Sequence, residues 1–302
     1  MKVDDLIKFG KSIEGEIFFD YSIKNLNWFN IGGKTNILFK PHSLNELKSF
    51  LDIYSKRGKI FILGAGSNVL FKDEIFQGVV IKLGKNFSNI SILDENKIVA
   101  GSSCLQKKLS EFARDGNFGG LEFMSCIPGS VGGGIRMNSG CFGREFKDCI
   151  ISLQVMDYEG NVKIMKSNQI NFKYRETDLP KDIIFLSATF DVQTKQKKEV
   201  EKLMIEFKNR KDIAQPTRVK TGGSTFKNPK DQSKKKVWEL IKSSIDEDIN
   251  FGDATISDKH SNFFVNKKNA NYYDMKSLID YVQKKVKLKT GINLSLEIVI
   301  VD

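Results

Sequence analysis

An α+β fold is predicted for this 302-residue chain on three observations. β signals recur from residue 90 to about 193 with a single amphipathic helix among them. Amphipathic helices gather after residue 195. One glycine motif stands at a strand end and a longer glycine-rich loop lies between that single helix and a later hairpin, outside any regular strand–helix alternation.

Residues 2–20 carry a weak amphipathic pattern (Leu6, Ile7, Phe9, Ile13), read as a peripheral arm within residues 1–26. Beyond Trp28-Phe29-Asn30-Ile31-Gly32-Gly33, a short strand is predicted over 35–40, closed by Pro41. Ser43 with Glu46 makes a capping box for a helix whose stripe is Leu44, Leu47, Leu51 and Tyr54, ended by Gly58. A strand over 59–63 follows. Gly64-Ala65-Gly66-Ser67-Asn68 then begins like a dinucleotide fingerprint, but Val69 stands where a third small residue is needed and a strand over 79–83 comes too soon for a helix. The motif reads as a glycine nest at a strand end, with Asn68 able to donate to phosphate. Taken alone, a tight turn explains it equally well.

Strands are predicted over 90–93, 97–101, 150–157, 161–165 across the Glu159-Gly160 turn, and 183–192. A helix with Leu105, Leu109, Phe112 and Ala113 on one face ends at Gly116. A helix carrying Val200, Leu203, Met204 and Phe207 stops before Pro216, and residues 215–229 combine glycines, hydroxyls, cations and amides with little to bury. A helix around Val237, Trp238, Leu240 and Ile241, a strand over 262–265, and a helix with Met275, Leu278, Ile279, Val282 and Val286 come next. The final strand places Leu294, Leu296, Ile298 and Ile300 on one face and Ser295, Glu297, Val299 and Val301 on the other.

Residues 119–148 hold eight of the chain's 24 glycines. So dense a cluster costs entropy and contributes no core, so it needs a purpose beyond chain reversal. Leu121, Phe123, Met124, Ile127, Val131, Ile135 and Met137 interleave the glycines, which argues against a flexible linker, since those are polar. From Pro128 the order Ile-Pro-Gly-Ser-Val-Gly-Gly-Gly presents successive N–H groups with no Cβ in the way, suited to close approach of a flat or anionic ligand.

Four cysteines (Cys104, Cys126, Cys141, Cys149) without a Cys-x-x-Cys pair, and only His42 and His260, make an ordinary metal or haem site improbable, and no metal is expected. No apolar run approaches the length of a spanning helix, so a soluble cytoplasmic chain without membrane insertion is expected. The formal charge of +11 is spread along the sequence without a recognition motif. It favours a small polyanion such as a nucleotide diphosphate over nucleic acid.

Several segments resemble the UDP-N-acetylenolpyruvoylglucosamine reductases over nearly the whole chain from about residue 27. They are Ile31-Gly32-Gly33, Gly64–Asn68, Gly120–Phe123 through Ile127-Pro128-Gly129 to Met137-Asn138-Ser139-Gly140, Tyr174-Arg175-Glu176-Thr177, Gly223–Pro229, His260–Asn266 and Glu297. The glycine motifs are shared by many flavoproteins of the vanillyl-alcohol-oxidase type; the ordered set with Gly-Gly-Ser-Thr-Phe-Lys-Asn-Pro is more specific. With no inserted tyrosine-bearing loop after Arg175, the chain is similar to the shorter of the family's two subtypes.

The resemblance implies a two-subdomain FAD-binding fold, here 27–89 and 90–194, and a C-terminal α+β substrate-binding domain over 195–302. It implies FAD held at Gly64, Ala65, Gly66, Ser67 and Asn68 and at Pro128, Gly129, Ser130, Gly132, Gly133, Asn138 and Gly140. NADPH would reduce FAD at N5, and the hydride would pass to C3 of UDP-N-acetylenolpyruvoylglucosamine with protonation at C2. By resemblance Ser224 is the proton donor, Arg175 and Glu297 flank the enolate, and Tyr174, Arg210, Lys220, Lys227 and Asn228 meet the substrate. A monomer is expected. The chain departs from the family pattern at Trp28, Asn30, Cys126, Cys141 and the acidic 246–250 segment.

The chemistry asks for such groups: adding hydride to a carboxylate-conjugated enol ether builds charge on that carboxylate and requires a proton at C2. By residue type alone, Ser224 is also a turn residue and Arg175 beside Glu176 and Asp178 a surface ion pair. A flavin oxidase of the same fold and a basic nucleic-acid-binding protein are the rival readings.

Overall fold

The computed structural model describes residues 3–54, 57–245 and 249–302. Its principal elements, in chain order, are α1 (Val3–Lys11), β1 (Glu16–Ser22), β2 (Lys34–Lys40), α2 (Leu44–Tyr54), β3 (Lys59–Ile62), β4 (Val69–Phe71), β5 (Phe76–Ile81), β6 (Ile90–Asp94), β7 (Lys97–Gly101) and α3 (Gln106–Asp115). There follow α4 (Val131–Arg136), β8 (Ile150–Asp157), β9 (Val162–Lys166), β10 (Ile183–Asp191), α5 (Lys197–Ala214), α6 (Val237–Ser244), β11 (Ala254–Ser257), β12 (His260–Asn266), α7 (Tyr272–Thr290) and β13 (Val299–Val301). The chain divides into two units. One gathers the described residues of 1–21, 35–65 and 77–209, the other those of 22–34, 66–76 and 210–302.

The first unit holds two larger sheets beside short two-stranded ladders. One has the order β1-β2-β5-β3, with β3 parallel to β5 in the register Ile62↔Ile81. β5 is buried at every position but Gln77, the continuous apolar run of a strand covered on both faces. Its core joins Ile37, Phe39, Val79 and Ile81 to Leu47, Phe50 and Leu51 of α2, with the Phe39 and Phe50 rings stacked at 4.1 Å. The other sheet, β9-β8-β10-β7-β6, is antiparallel throughout, and its core includes Ile98, Leu109, Ala113, Phe123, Phe146, Leu153 and Phe190.

In the second unit Asn250–Phe251, β11 and β12 form an antiparallel sheet. Leu240 and Ile241 of α6 share a core with Met275, Leu278, Ile279, Val282 and Val286 of α7 and with Phe264. Asn271 and Asp274 cap α7 reciprocally, and Gly291 ends it in the left-handed conformation at φ 76°, where a side chain would be strained. β13 pairs in parallel with β4, Ile300 beside Leu70.

Several expectations are corrected. Beyond the weak pattern expected of the N-terminal stretch, Val3–Lys11 form α1 and Glu16–Ser22 the edge strand β1, and Leu6 is fully buried in the core that α2 lines. At α2, Ser43 Oγ accepts from the Glu46 N–H at 3.2 Å. The Glu46 carboxylate, however, accepts from the N–H groups of Glu14 and His42, not of Ser43. Leu105 is exposed, since it precedes α3. The 119–148 stretch contains a 3₁₀ turn (Glu122–Cys126) and α4. Thr225 and Phe226 in the 215–229 stretch are fully buried. The final strand is interrupted: Leu296 bridges antiparallel to Phe226, then Val299–Val301 changes partner to β4. Asp246, Glu247 and Asp248 of the acidic segment lie outside the described residues.

Candidate active site

In the first unit the two glycine stretches meet. A Cβ on Gly64 would lie 2.5 Å from Ser130 Oγ and 3.9 Å from the Gly133 nitrogen, so only glycine lets Ser130 approach. Gly129 has φ 141° and accepts at its carbonyl from the Gln106 N–H at 3.0 Å. The amides that follow are not bare. Val131 donates to Cys104 O and Gly132 to Ser102 O, both at 2.8 Å, and Gly133 donates to Ser130 Oγ at 3.3 Å. These donors hold the loop to the end of β7, which corrects the picture of an open run of N–H groups across residues 131–133. The Ser102 hydroxyl is buried there without a hydrogen-bond partner. Lys82, at the end of β5, donates from its ammonium to Gly64 O at 2.7 Å.

Arg175, also in the first unit, has φ 57°, a strained conformation for a non-glycine residue. Its guanidinium donates to Gly140 O at 2.5 Å, reaches Asn138 O at 3.5 Å, lies 3.6 Å from Glu145 Oε1, and sits 5.0 Å from the Tyr174 ring centre. Asn138 is fully buried and ties this floor together. Its Nδ2 donates to Glu145 Oε2 and Lys173 O, and its Oδ1 accepts from the Lys147 N–H. Asn138 and Gly140, expected to touch cofactor, also turn their carbonyls to Arg175. Glu145 places a carboxylate beside Arg175, and Asp178 accepts from the Asn171 N–H. Glu145 escaped the sequence reading. The signal was present, an acidic residue inside the glycine-rich stretch. Lys82 left a fainter one, a lysine interrupting an apolar strand.

In the second unit, Gly66 needs its freedom. At φ 73°, a Cβ there would come 2.1 Å from Leu26 O, and its own carbonyl accepts from the Trp28 N–H. Asn30, at φ 56°, donates to Asn25 Oδ1. Asn68 spends one side-chain N–H on Glu297 O at 2.9 Å, and its carbonyl accepts from Val299 N–H.

Ser224 and Glu297 are brought together by one ladder. Ser224 bridges Phe263, the Glu297 N–H donates to Thr225 O at 2.8 Å, and the Lys227 N–H donates to Ser295 O. Asn262 locks the turn by accepting from Phe226 N–H and donating to Phe226 O. The Thr225 hydroxyl is buried without a partner. Ser224 and Glu297 are half-buried, and Gly223 at φ 80° has open space where a Cβ would be. His260, in T-shaped contact with the Phe263 ring, accepts from the Asn262 N–H at Nδ1, and burial lowers its pKa. The Lys220 ammonium donates to Lys268 O, the Asn228 Oδ1 accepts from Val237 N–H at the start of α6, and Arg210 is exposed near the end of α5.

Of the cysteines in the central stretch, Cys126 is buried and Cys141 reaches Phe123 O. Burial pushes the Cys104 thiol up to about 11 and the Cys149 thiol higher still, so both are inert. Among the described residues no group of three or more His, Cys, Asp and Glu side chains is placed to hold a metal ion, and no helix is long and apolar enough to cross a membrane.

Comparison with known proteins agrees with this geometry. Residues 35–166 match the FAD binding domain family and residues 215–301 the UDP-N-acetylenolpyruvoylglucosamine reductase C-terminal domain. Over 298 residues the chain is 55% identical to a UDP-N-acetylenolpyruvoylglucosamine reductase of Pelagibacter ubique, covering 99% of each, and it is 41% identical to that of Rickettsia conorii over 286 residues, 95% of this chain and 96% of the relative. The crystal structure of UDP-N-acetylenolpyruvylglucosamine reductase from Thermus caldophilus superposes with a TM-score of 0.82 at 28% identity, over 96% of this chain and 100% of that one. Full-length identity of this order, joined to both domain matches, shows that the chain belongs to the UDP-N-acetylenolpyruvoylglucosamine reductase family.

Proposed function

We propose that this chain is the NADPH-dependent, FAD-containing reductase that converts UDP-N-acetylenolpyruvoylglucosamine to UDP-N-acetylmuramate for peptidoglycan synthesis, acting as a cytoplasmic monomer. Residues 27–89 and 90–194 serve the cofactor and 195–302 the UDP-sugar. FAD, when bound, would supply hydride-transfer chemistry between NADPH and C3 of the enolpyruvyl group.

The residues present fit that cofactor. Where Gly64 meets Ser130 the two loops approach too closely for a side chain on residue 64, and the Ser102 hydroxyl, without a hydrogen-bond partner among the described residues, lies in the same loop assembly. Gly64, Ala65, Gly66, Ser67, Pro128, Gly129 and Ser130 would hold the pyrophosphate. Gly132 and Gly133 shape the loop from within.

The protein's own part is to place charge and a proton. The Arg175 guanidinium, fixed by two carbonyls, offsets charge growing on the substrate carboxylate, and Glu297 flanks the same group. Ser224 delivers the proton to C2. A hydroxyl is a weak acid in water, so it requires the half-buried setting it has on the turn locked by Asn262. Tyr174, Arg210 and Lys227 meet the UDP-sugar. Lys220 must release Lys268 O, and Asn228 must act through its amide nitrogen, to do the same.

The observation that carries this assignment is the hydrogen bond from the Glu297 N–H to Thr225 O, which supports it by bringing Glu297 beside the segment that holds Ser224, while Asn68 donates to Glu297 O. Its test is the visible spectrum of the purified protein. Flavin absorbance should bleach with NADPH and return on anaerobic addition of UDP-N-acetylenolpyruvoylglucosamine. A colourless protein, or return only with oxygen, would refute it.

A further inference from the structure

Lys82 is a half-buried cation with no anion of its own. It ends β5, where its N–H pairs with Phe39 O and its side chain turns under the first glycine loop to donate to Gly64 O at 2.7 Å. Among the described residues that carbonyl is the one hydrogen-bond partner of its ammonium, and no carboxylate pairs with it. The neighbouring Lys40 is already neutralised by Glu16 at 2.9 Å. Desolvation, and secondarily the charge of Lys40, lowers the Lys82 pKa.

A charge withdrawn from water is costly unless an opposite charge meets it, and a neutral carbonyl only partly offsets that cost. Unpaired half-buried ammonium groups are therefore kept where a ligand brings the missing anion. The place where this one points is the meeting of Gly64 and Ser130, where any side chain on residue 64 would strike the serine hydroxyl.

We infer that Lys82 is the counter-cation of the cofactor's pyrophosphate, reaching it from beneath the first glycine loop and holding that loop through Gly64 O. The inference rests on the reading that these loops hold the pyrophosphate, and extends it to the residue that follows the apolar run of β5. Lysine suits the position because a compact ammonium can serve a carbonyl and a phosphate oxygen at once, having three donors.

The test compares the FAD dissociation constant of the purified holoenzyme, read from flavin fluorescence on dilution, with those of Lys82→Gln, Lys82→Met, Lys82→Arg and Ser130→Ala. Each protein's circular dichroism verifies that it is folded. Both neutral variants should weaken FAD by about tenfold or more, the difference a charge-assisted hydrogen bond makes, while Lys82→Arg stays within roughly threefold of the wild type. Raising pH through the lowered lysine range should weaken FAD more in the wild type than in Lys82→Arg, because arginine keeps its proton where this lysine loses it. If the neutral variants bind FAD as the wild type does, or if Lys82→Arg weakens it as much as they do, Lys82 only shapes the loop and the inference is overturned. If the neutral variants are unaffected while Ser130→Ala loses FAD, the inference alone fails. If Ser130→Ala is also unaffected, the reading of the loops fails with it.

Discussion

Glu145 Oε1 and Arg175 Nη1 lie 3.6 Å apart, with only 18% and 16% of their side chains exposed, above a floor made by the carbonyls of Asn138 and Gly140. The pair is screened from water far more than a surface ion pair, so its geometry is maintained at a cost that points to use. Glu145→Gln keeps the shape and removes the charge. Turnover of the enolpyruvyl sugar should fall about tenfold, as expected for one charge-assisted contact, with flavin reduction by NADPH unchanged. Stopped-flow measurement of the two half-reactions decides it; equal losses in both would show that Glu145 only supports the fold.

Ser224→Ala removes a hydroxyl from a turn whose backbone is held by Asn262 and Phe263, so the fold should survive. NADPH should still bleach the flavin, while reoxidation by the UDP-sugar should slow by about a hundredfold or more, the usual contribution of a positioned acid. A parallel fall in both half-reactions would remove Ser224 from the role of donor.

Gly134→Ala sets helix propensity against packing. Alanine would favour α4 by up to about 1 kcal/mol, but its Cβ would stand 2.4 Å from Phe146 Cζ and 2.6 Å from Cε2, in a fully buried ring wedged edge-on against Phe123 and Phe190. Overpacking of this kind costs about 1–3 kcal/mol, so the clash wins and the Tm should drop by a few degrees. An unchanged melting curve would mean that Phe146 can move aside.

His260 should make stability sensitive to acid. Its folded pKa is lowered by burial, so below the ordinary value near 6.5 the unfolded chain binds a proton the folded chain resists. Stability from this group is full above that value and lost as pH falls through the window beneath it. The proton also takes Nδ1 from the Asn262 N–H. Between pH 7.5 and 5.5 the Tm of the wild type should fall further than that of His260→Gln; equal falls would contradict the assignment.

What could be read from sequence was what is local. The strands at 97–101 and 150–157 and the end of α7 at Gly291 follow from periodicity and a stop residue that act within a few positions. The break in the final strand could not be read, because Val299 leaves the Thr225–Phe226 segment for a partner at Val69, and nothing near residue 299 encodes that exchange. At the site, the glycine stretches and the Ser224 and Glu297 motifs stood out by type. How their neighbours are used did not. Asn138 and Gly140 hold an arginine, Lys220 is occupied by Lys268 O, and Lys82 lay hidden among valines and isoleucines until its direction was known.

The parallel pairing of β13 with β4 also sets a timetable for biosynthesis. A ribosome releases the glycine nest and its following strand early, yet the Val69–Phe71 edge remains without its mate until residues 299–301 have emerged. Nascent protein must therefore pass through a long interval in which the second unit is unfinished, its exposed edge vulnerable to mispairing and in need of chaperoning.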